Sequence, residues 1–201
     1  LRNVNIPLSV PNLNKKEILK NLEECLESGW ISTGGKFIPE FEDKVKNYMK
    51  TKYVAGVQSG TAGLHMSLQV LGVQRDEEVI TPTLTFIAAV NPITYLGAIP
   101  VFIDCDDSLC MDPIKLEKFC SEECEFVDGI LVNKKTKRKI RVLVIVHVFG
   151  NMADMEKIMD IAKKYNLKVL EDATEALGTY YTEGRYKGKF AGTMGDLGVL
   201  S

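Results

Sequence analysis

Residues 142–146 read Val-Leu-Val-Ile-Val, apolar at every position. A strand with one wet face alternates apolar and polar residues. A run without alternation fits a strand covered on both faces, as in a parallel sheet flanked by helices. The surrounding pattern agrees, because short apolar runs alternate with segments of helical length and period. Strands are expected at Tyr53–Val57, Glu78–Thr81, Ile99–Asp104, Arg141–Val146, Lys168–Glu171 and Leu197–Leu200. Helices are expected at Asn14–Ser28, with Ile18, Leu22, Cys25 and Leu26 on one face, and at Pro39–Lys50 with Phe41, Val45 and Tyr48 or Met49 inward. Further helices are expected at Thr61–Leu71, Thr85–Leu96 (bent or begun at Pro92), Pro113–Cys120 and Met152–Tyr165. The charged stretch Glu122–Arg141 reads as a solvated hairpin turning at Asn133–Thr136, or as a basic patch for a phosphate or a partner, and a small antiparallel excursion starts at Tyr180. The fold class is α/β, a mostly parallel sheet with helices on both faces.

With 201 residues, the chain suits one domain or a domain plus part of another. It starts at Leu1 and stops at Ser201, directly after an apolar run, and so reads as a piece of a longer protein. A formal net charge of −2 gives no electrostatic case for nucleic acid or a membrane surface. No apolar run approaches the ~20 residues of a membrane span, and the N-terminus lacks a signal-peptide layout. Cys25, Cys105, Cys110, Cys120 and Cys124 are an odd set without a secretion signal, which points to reduced thiols in a cytoplasm. A zinc site from the last four would lack C-x2-C knuckles, so scattered thiols and no metal are expected.

Ligands of open α/β sheets bind beyond the carboxyl ends of the strands, and four such ends carry unusual residues. Gln58-Ser59-Gly60-Thr61-Ala62-Gly63 opens a helix with small residues. Backbone N–H groups there can approach an anion, or Ser59 or Thr61 can simply cap the helix. After Thr81-Pro82, Phe86 can stack on a planar ring or pack in the core. His147, with Phe149-Gly150, follows the most buried strand as a ligand or as a satisfied buried histidine. Glu171-Asp172-Ala173-Thr174-Glu175 puts carboxylates at a strand end, where the Asp can simply cap a helix, or where burial is costly without a partner such as a cationic ligand atom or a metal. A protonated pyridine nitrogen is one such partner, and a carboxylate beside it keeps the ring charged and able to act as an electron sink. A phosphate clasp, a ring stack and an acidic partner for a ring nitrogen fit pyridoxal 5′-phosphate (PLP) better than a nucleotide or a metal.

Gly29-Trp30-Ile31-Ser32-Thr33-Gly34, Ser59-Gly60-Thr61-Ala62, Thr81-Pro82-Thr83-Leu84-Thr85-Phe86, Gly97–Asp104, Val146-His147-Val148-Phe149-Gly150 and Glu171-Asp172-Ala173 occur in that order. The chain thereby resembles the DegT/DnrJ/EryC1/StrS family of PLP-dependent nucleotide-sugar aminotransferases along nearly its whole length. The resemblance implies the type I, aspartate aminotransferase-like fold and a homodimer with shared active sites. Residues 1–50 would be a helical segment lining the substrate site, and 51–201 an incomplete PLP-binding domain whose C-terminal small domain is absent. It further implies that Gly60, Thr61, Ala62 and Ser201 hold the cofactor phosphate, that Phe86 stacks on the ring and that Asp172 pairs with its nitrogen. Glu175 would lie near the ring hydroxyl, at a position often Gln, and Trp30 in the segment lining the sugar site. Arg75-Asp76-Glu77-Glu78-Val79 departs from the family's Gly-Asp-Glu-Val as a surface change. The charged 122–141 stretch is similar to that of the branch making 4-amino precursors of nonulosonic (legionaminic-type) acids.

The Schiff-base Lys of the family lies five residues beyond Ser201. Lys187 and Lys189 do not occupy its motif, so no catalytic residue is expected within this chain. Three activities stay open. One transfers an amino group, with glutamate as donor, to C4 of a nucleotide-linked 4-keto-6-deoxy sugar. The second is a dehydratase of the same fold with His in place of the Lys. The third is a non-catalytic binder.

Overall fold

The computed structural model describes Pro7 and residues 10–201. The chain divides into two compact units, one of residues 1–48 with 52–56 and one of residues 49–51 with 57–201.

The N-terminal unit is built around two helices. Helix α1, Lys15–Ser28, starts where the Asn14 side chain accepts the Glu17 N–H, and ends at Gly29 in the left-handed region, φ 71°. The apolar residues expected on one face of α1 are not covered: no residue of the helix is buried, and Ile18, Leu22 and Leu26 are exposed. Helix α2 runs Phe37–Met49, with Phe41 and Tyr48 exposed, Val45 half-buried and Met49 buried. The expected strand at Tyr53–Val57 does not form, and these residues are irregular. They find no sheet neighbour, and Glu42 instead accepts the Gly56 N–H at 2.7 Å.

The larger unit holds a seven-stranded mixed sheet. Its parallel strands are β1 (Glu78–Pro82), β2 (Ile99–Ile103), β5 (Lys139–Val146), β6 (Lys168–Asp172) and β7 (Leu197–Val199). They run side by side in the order β2-β1-β5-β6-β7. Helices α3 (Gly60–Val70), α4 (Asn91–Tyr95), α5 (Pro113–Lys118) and α6 (Met155–Lys164) connect or flank them. Val142–Ile145 are wholly buried at the centre of the core, as the unbroken apolar run demands. The expected helix at Thr85–Leu96 is two pieces, a single turn at Ile87–Ala89 and then α4. Pro92 sits in the first turn of α4, where its missing N–H costs nothing.

The charged stretch is larger than one hairpin. Strands β3 (Cys124–Val127) and β4 (Ile130–Asn133) form an antiparallel meander with the start of β5. Its first turn is Asp128-Gly129, both at positive φ, and its second is held by Asn133, whose Oδ1 accepts the Lys135 N–H at 2.9 Å. The meander is docked through residues expected at the surface. Glu78 and Glu77 are buried, because Asn133 donates to Glu78 at 2.9 Å and Arg141 to Glu77 at 2.8 Å. Arg138 donates to the Asp76 carbonyl at 2.7 Å. The Asp76-Glu77-Glu78 departure is therefore an anchoring point, because each acidic group meets a donor from the meander.

Candidate cofactor site

Parallel strands bring their carboxyl ends to one edge of the sheet, and the sequence-expected residues of the larger unit collect there. Gly60 opens α3. Ser59 caps the helix by accepting the Ala62 N–H at 3.1 Å, and the first helical bond runs from Gly63 N–H to the Ser59 carbonyl. Ser59, not Thr61, is thus the cap. Among the described residues the Gly60 and Thr61 N–H groups have no protein partner, so the start of α3 offers two free backbone donors on the positive end of its dipole.

Ser201 faces this helix start. A Cβ added to Gly60 would stand 2.8 Å from Ser201 Cβ, 3.1 Å from its Oγ and 3.6 Å from Thr174 Oγ1. Gly63 lies equally close to β7, since a Cβ there would be 3.1 Å from Val199. Only residues without side chains let the helix start approach this strand. The result is a small cup of two backbone N–H groups and two hydroxyls, from Ser201 and Thr174.

Asp172 ends β6, and its neighbour across the ladder is Val199. It is buried, and among the described residues its side chain accepts one hydrogen bond, on Oδ1 from the Thr174 N–H at 3.1 Å. That leaves its second oxygen able to take a donor. Phe86, four residues past the carboxyl end of β1, stands 73% exposed. Glu175 is exposed at the same edge, and its Oε2 accepts the Phe149 N–H at 2.5 Å. That bond pins Phe149 in its left-handed conformation, φ 55°. In the N-terminal unit, Trp30 is 59% exposed, and a side chain at Gly34 would run into its indole.

His147 is no ligand. It is wholly buried and engaged at both ring nitrogens. Nδ1 accepts the Ala153 N–H at 3.2 Å, so Nε2 carries the proton and donates to Glu171 Oε2 at 2.9 Å. Glu171, also wholly buried, accepts three further N–H groups: Gly192 at 2.9 Å, Met194 at 2.6 Å and Gly195 at 2.5 Å. The sequence flagged Glu171 only as one of several costly carboxylates. Its partners lie 21–24 residues onward in a glycine-rich segment with no periodicity to announce them.

The five cysteines form no metal cluster, and no group of ligating side chains able to hold a metal occurs among the described residues. A surface hollow of about 700 Å³ lined by Cys105, Asp106, Ser108, Asp112 and Lys115 includes none of the cup residues. No helix of the described residues is long and apolar enough to cross a membrane.

Residues 12–201 match the DegT/DnrJ/EryC1/StrS aminotransferase family. The chain belongs to that family. It is 38% identical over 196 residues to GDP-perosamine synthase of Escherichia coli O157:H7, covering 98% of this chain and 48% of that protein. Spr1654 of Streptococcus pneumoniae in its PLP form has TM-score 0.79 at 28% identity, over 98% of this chain and 49% of that one. GDP-4-keto-6-deoxymannose-3-dehydratase (ColD) shares the fold with TM-score 0.79 at 22% identity, over 98% of this chain and 47% of that one. The chain has the type I aminotransferase fold and spans about half the length of these relatives.

The site residues fit PLP, the cofactor with which a relative of this fold has been solved. A cradle at Gly60 that a single Cβ would fill, two free N–H groups and two hydroxyls suit a phosphate, and a buried carboxylate with a spare oxygen suits a cationic ring nitrogen.

Proposed function

We propose that the whole protein transfers an amino group from an amino acid, glutamate in our reading, to C4 of a nucleotide-linked 4-keto-6-deoxy sugar. The pathway would be surface-glycan or nonulosonic acid biosynthesis, of the legionaminic type, in the cytoplasm. The observation that carries the reading is the approach of Ser201 to Gly60 at the start of α3, with Asp172 buried on the adjoining strand. When bound, PLP supplies an electron sink for charge developing on the substrate carbon.

Each residue of the chain then has a task. The Gly60 and Thr61 N–H groups, the Thr61 hydroxyl and the Ser201 hydroxyl hold the phosphate, and Ala62, whose N–H is taken by Ser59, contributes a side chain small enough to leave room beside it. Asp172 accepts a hydrogen bond from the ring nitrogen and keeps it protonated, because a carboxylate stabilises the adjacent cation. Phe86 covers one face of the ring and excludes water. Glu175, whose Oε2 accepts the Phe149 N–H, would lie near the ring hydroxyl. Trp30 lines the sugar site, and a second copy of the chain completes the active site as a homodimer. The proton-moving amine is a Lys that we assign five residues beyond Ser201.

The Asp172→Asn variant of the full-length protein tests this reading. Asn keeps the Thr174 bond but loses the charge, so PLP should stay bound while turnover falls by at least about 100-fold. Full activity in that variant would contradict the assignment. Since ColD shares the fold, a His five residues beyond Ser201 would move the proposal to sugar dehydration.

A further inference from the structure

Glu171 and His147 contribute nothing to the PLP site as proposed, yet they form the most heavily bonded buried polar group in the larger unit. The bonds have one direction. Ala153 N–H donates to His147, His147 donates to Glu171, and the Gly192, Met194 and Gly195 N–H groups also end on Glu171. Every donor on this path needs an acceptor at its present place, so the path cannot be reversed by a change of tautomer.

The segment that Glu171 grips rests on the strand leading to Ser201. A Cβ on Gly198 would collide with the Gly192 carbonyl, and one on Gly192 would stand 3.2 Å from Ala173 Cβ. A Cβ on Gly195 would stand 2.7 Å from the Val169 carbonyl. The 192–195 turn is therefore clamped between Ala173, next to Asp172, and Gly198, three residues before Ser201. Asp196 fixes the start of β7, since its N–H donates to the Val169 carbonyl at 2.8 Å and its Oδ2 accepts the Val169 N–H at 2.8 Å. Glu171 is left to hold the turn down over the rest of the strand.

We infer that Glu171, oriented by His147, is a positioning residue that sets the height of β7 and so presents the Ser201 hydroxyl to the phosphate cup at Gly60. This rests on the PLP reading and deepens it, because it predicts which end of the cofactor feels the loss of Glu171. The phosphate grip should weaken while the ring-nitrogen end, held by Asp172 on β6, is spared.

The test uses full-length protein and two probes without an aldehyde, pyridoxine 5′-phosphate and pyridoxine, measured by calorimetry. In Glu171→Gln the amide N–H group would face the N–H groups of His147 and Gly192, so that end of the path loses its acceptor. The advantage of the phosphorylated probe over the plain one should shrink about tenfold. Amide exchange at Gly192, Met194 and Gly195 should accelerate while the core strand Val142–Val146 stays protected. His147→Phe removes one donor without opposing the others, and it should give a smaller loss of the same kind if Glu171→Gln does not fold. An unchanged phosphate advantage in the folded variants, or unchanged protection at the three amides, would overturn the inference. If the unaltered protein binds neither probe, the PLP reading itself has failed.

Discussion

Ser201 lies so close to Gly60 that a methyl group on the glycine would stand 2.8 Å from the serine Cβ. Both contacting atoms are next to backbone, so neither side can yield by a rotamer change alone. Gly60→Ala should push β7 and the start of α3 apart and cost about tenfold or more in PLP affinity. An absorbance titration reads the affinity, and circular dichroism should show the helix content retained.

Ser59 and Thr61 are adjacent to the same cup but have different tasks. Ser59→Ala removes the cap on the Ala62 N–H and should lower stability by about 1 kcal/mol. Thr61→Ala should leave the denaturation midpoint unchanged and weaken cofactor retention instead. Equal effects of the two on stability would mean that Thr61 is part of the cap.

Asn133 holds the meander to β1 through the buried Glu78 carboxylate. Asn133→Ala would leave that carboxylate without its donor and should destabilise the protein by about 1–3 kcal/mol, read from urea unfolding. The same change removes the acceptor of the Lys135 N–H, so the loss should be accompanied by faster exchange in the β4–β5 turn.

The thiols should sort by burial. Burial pushes Cys120 and Cys124 up to about 12, with the neighbouring Cys124 and Glu78 charges respectively adding to the rise. Burial also raises Cys110. At pH 8 the first two are thiolate at only about one part in ten thousand. Iodoacetamide on the native protein should label Cys25 and Cys105, the two half-buried cysteines, and reach the other three only on unfolding.

How much of this could be read in the sequence follows from what carries the information. The central strand was legible because Val142–Val146 encodes two-sided burial by itself. The α1 cap was legible because Asn14 and Glu17 are local. Tyr53–Val57 looks like a strand, yet strand formation depends on a neighbour that local pattern does not supply. Glu77 and Glu78 looked like surface because their partners, Arg141 and Asn133, lie 64 and 55 residues away. At the site, Gly60 and Asp172 could be singled out because they sit at a helix start and a strand end, whereas Ser201 came only from the resemblance to the family. His147 could not be decided between ligand and buried residue until Ala153 and Glu171 were seen on its two nitrogens.

Product analysis of the full-length protein is the most direct test of the central claim. The protein would be supplied with PLP, glutamate and a panel of nucleotide-linked 4-keto-6-deoxy sugars, and the products read by mass spectrometry and NMR. The account predicts a sugar carrying one new amino group at C4, formed with conversion of glutamate to 2-oxoglutarate. A sugar that has lost a hydroxyl without gaining nitrogen, or a panel returned unchanged, would contradict it.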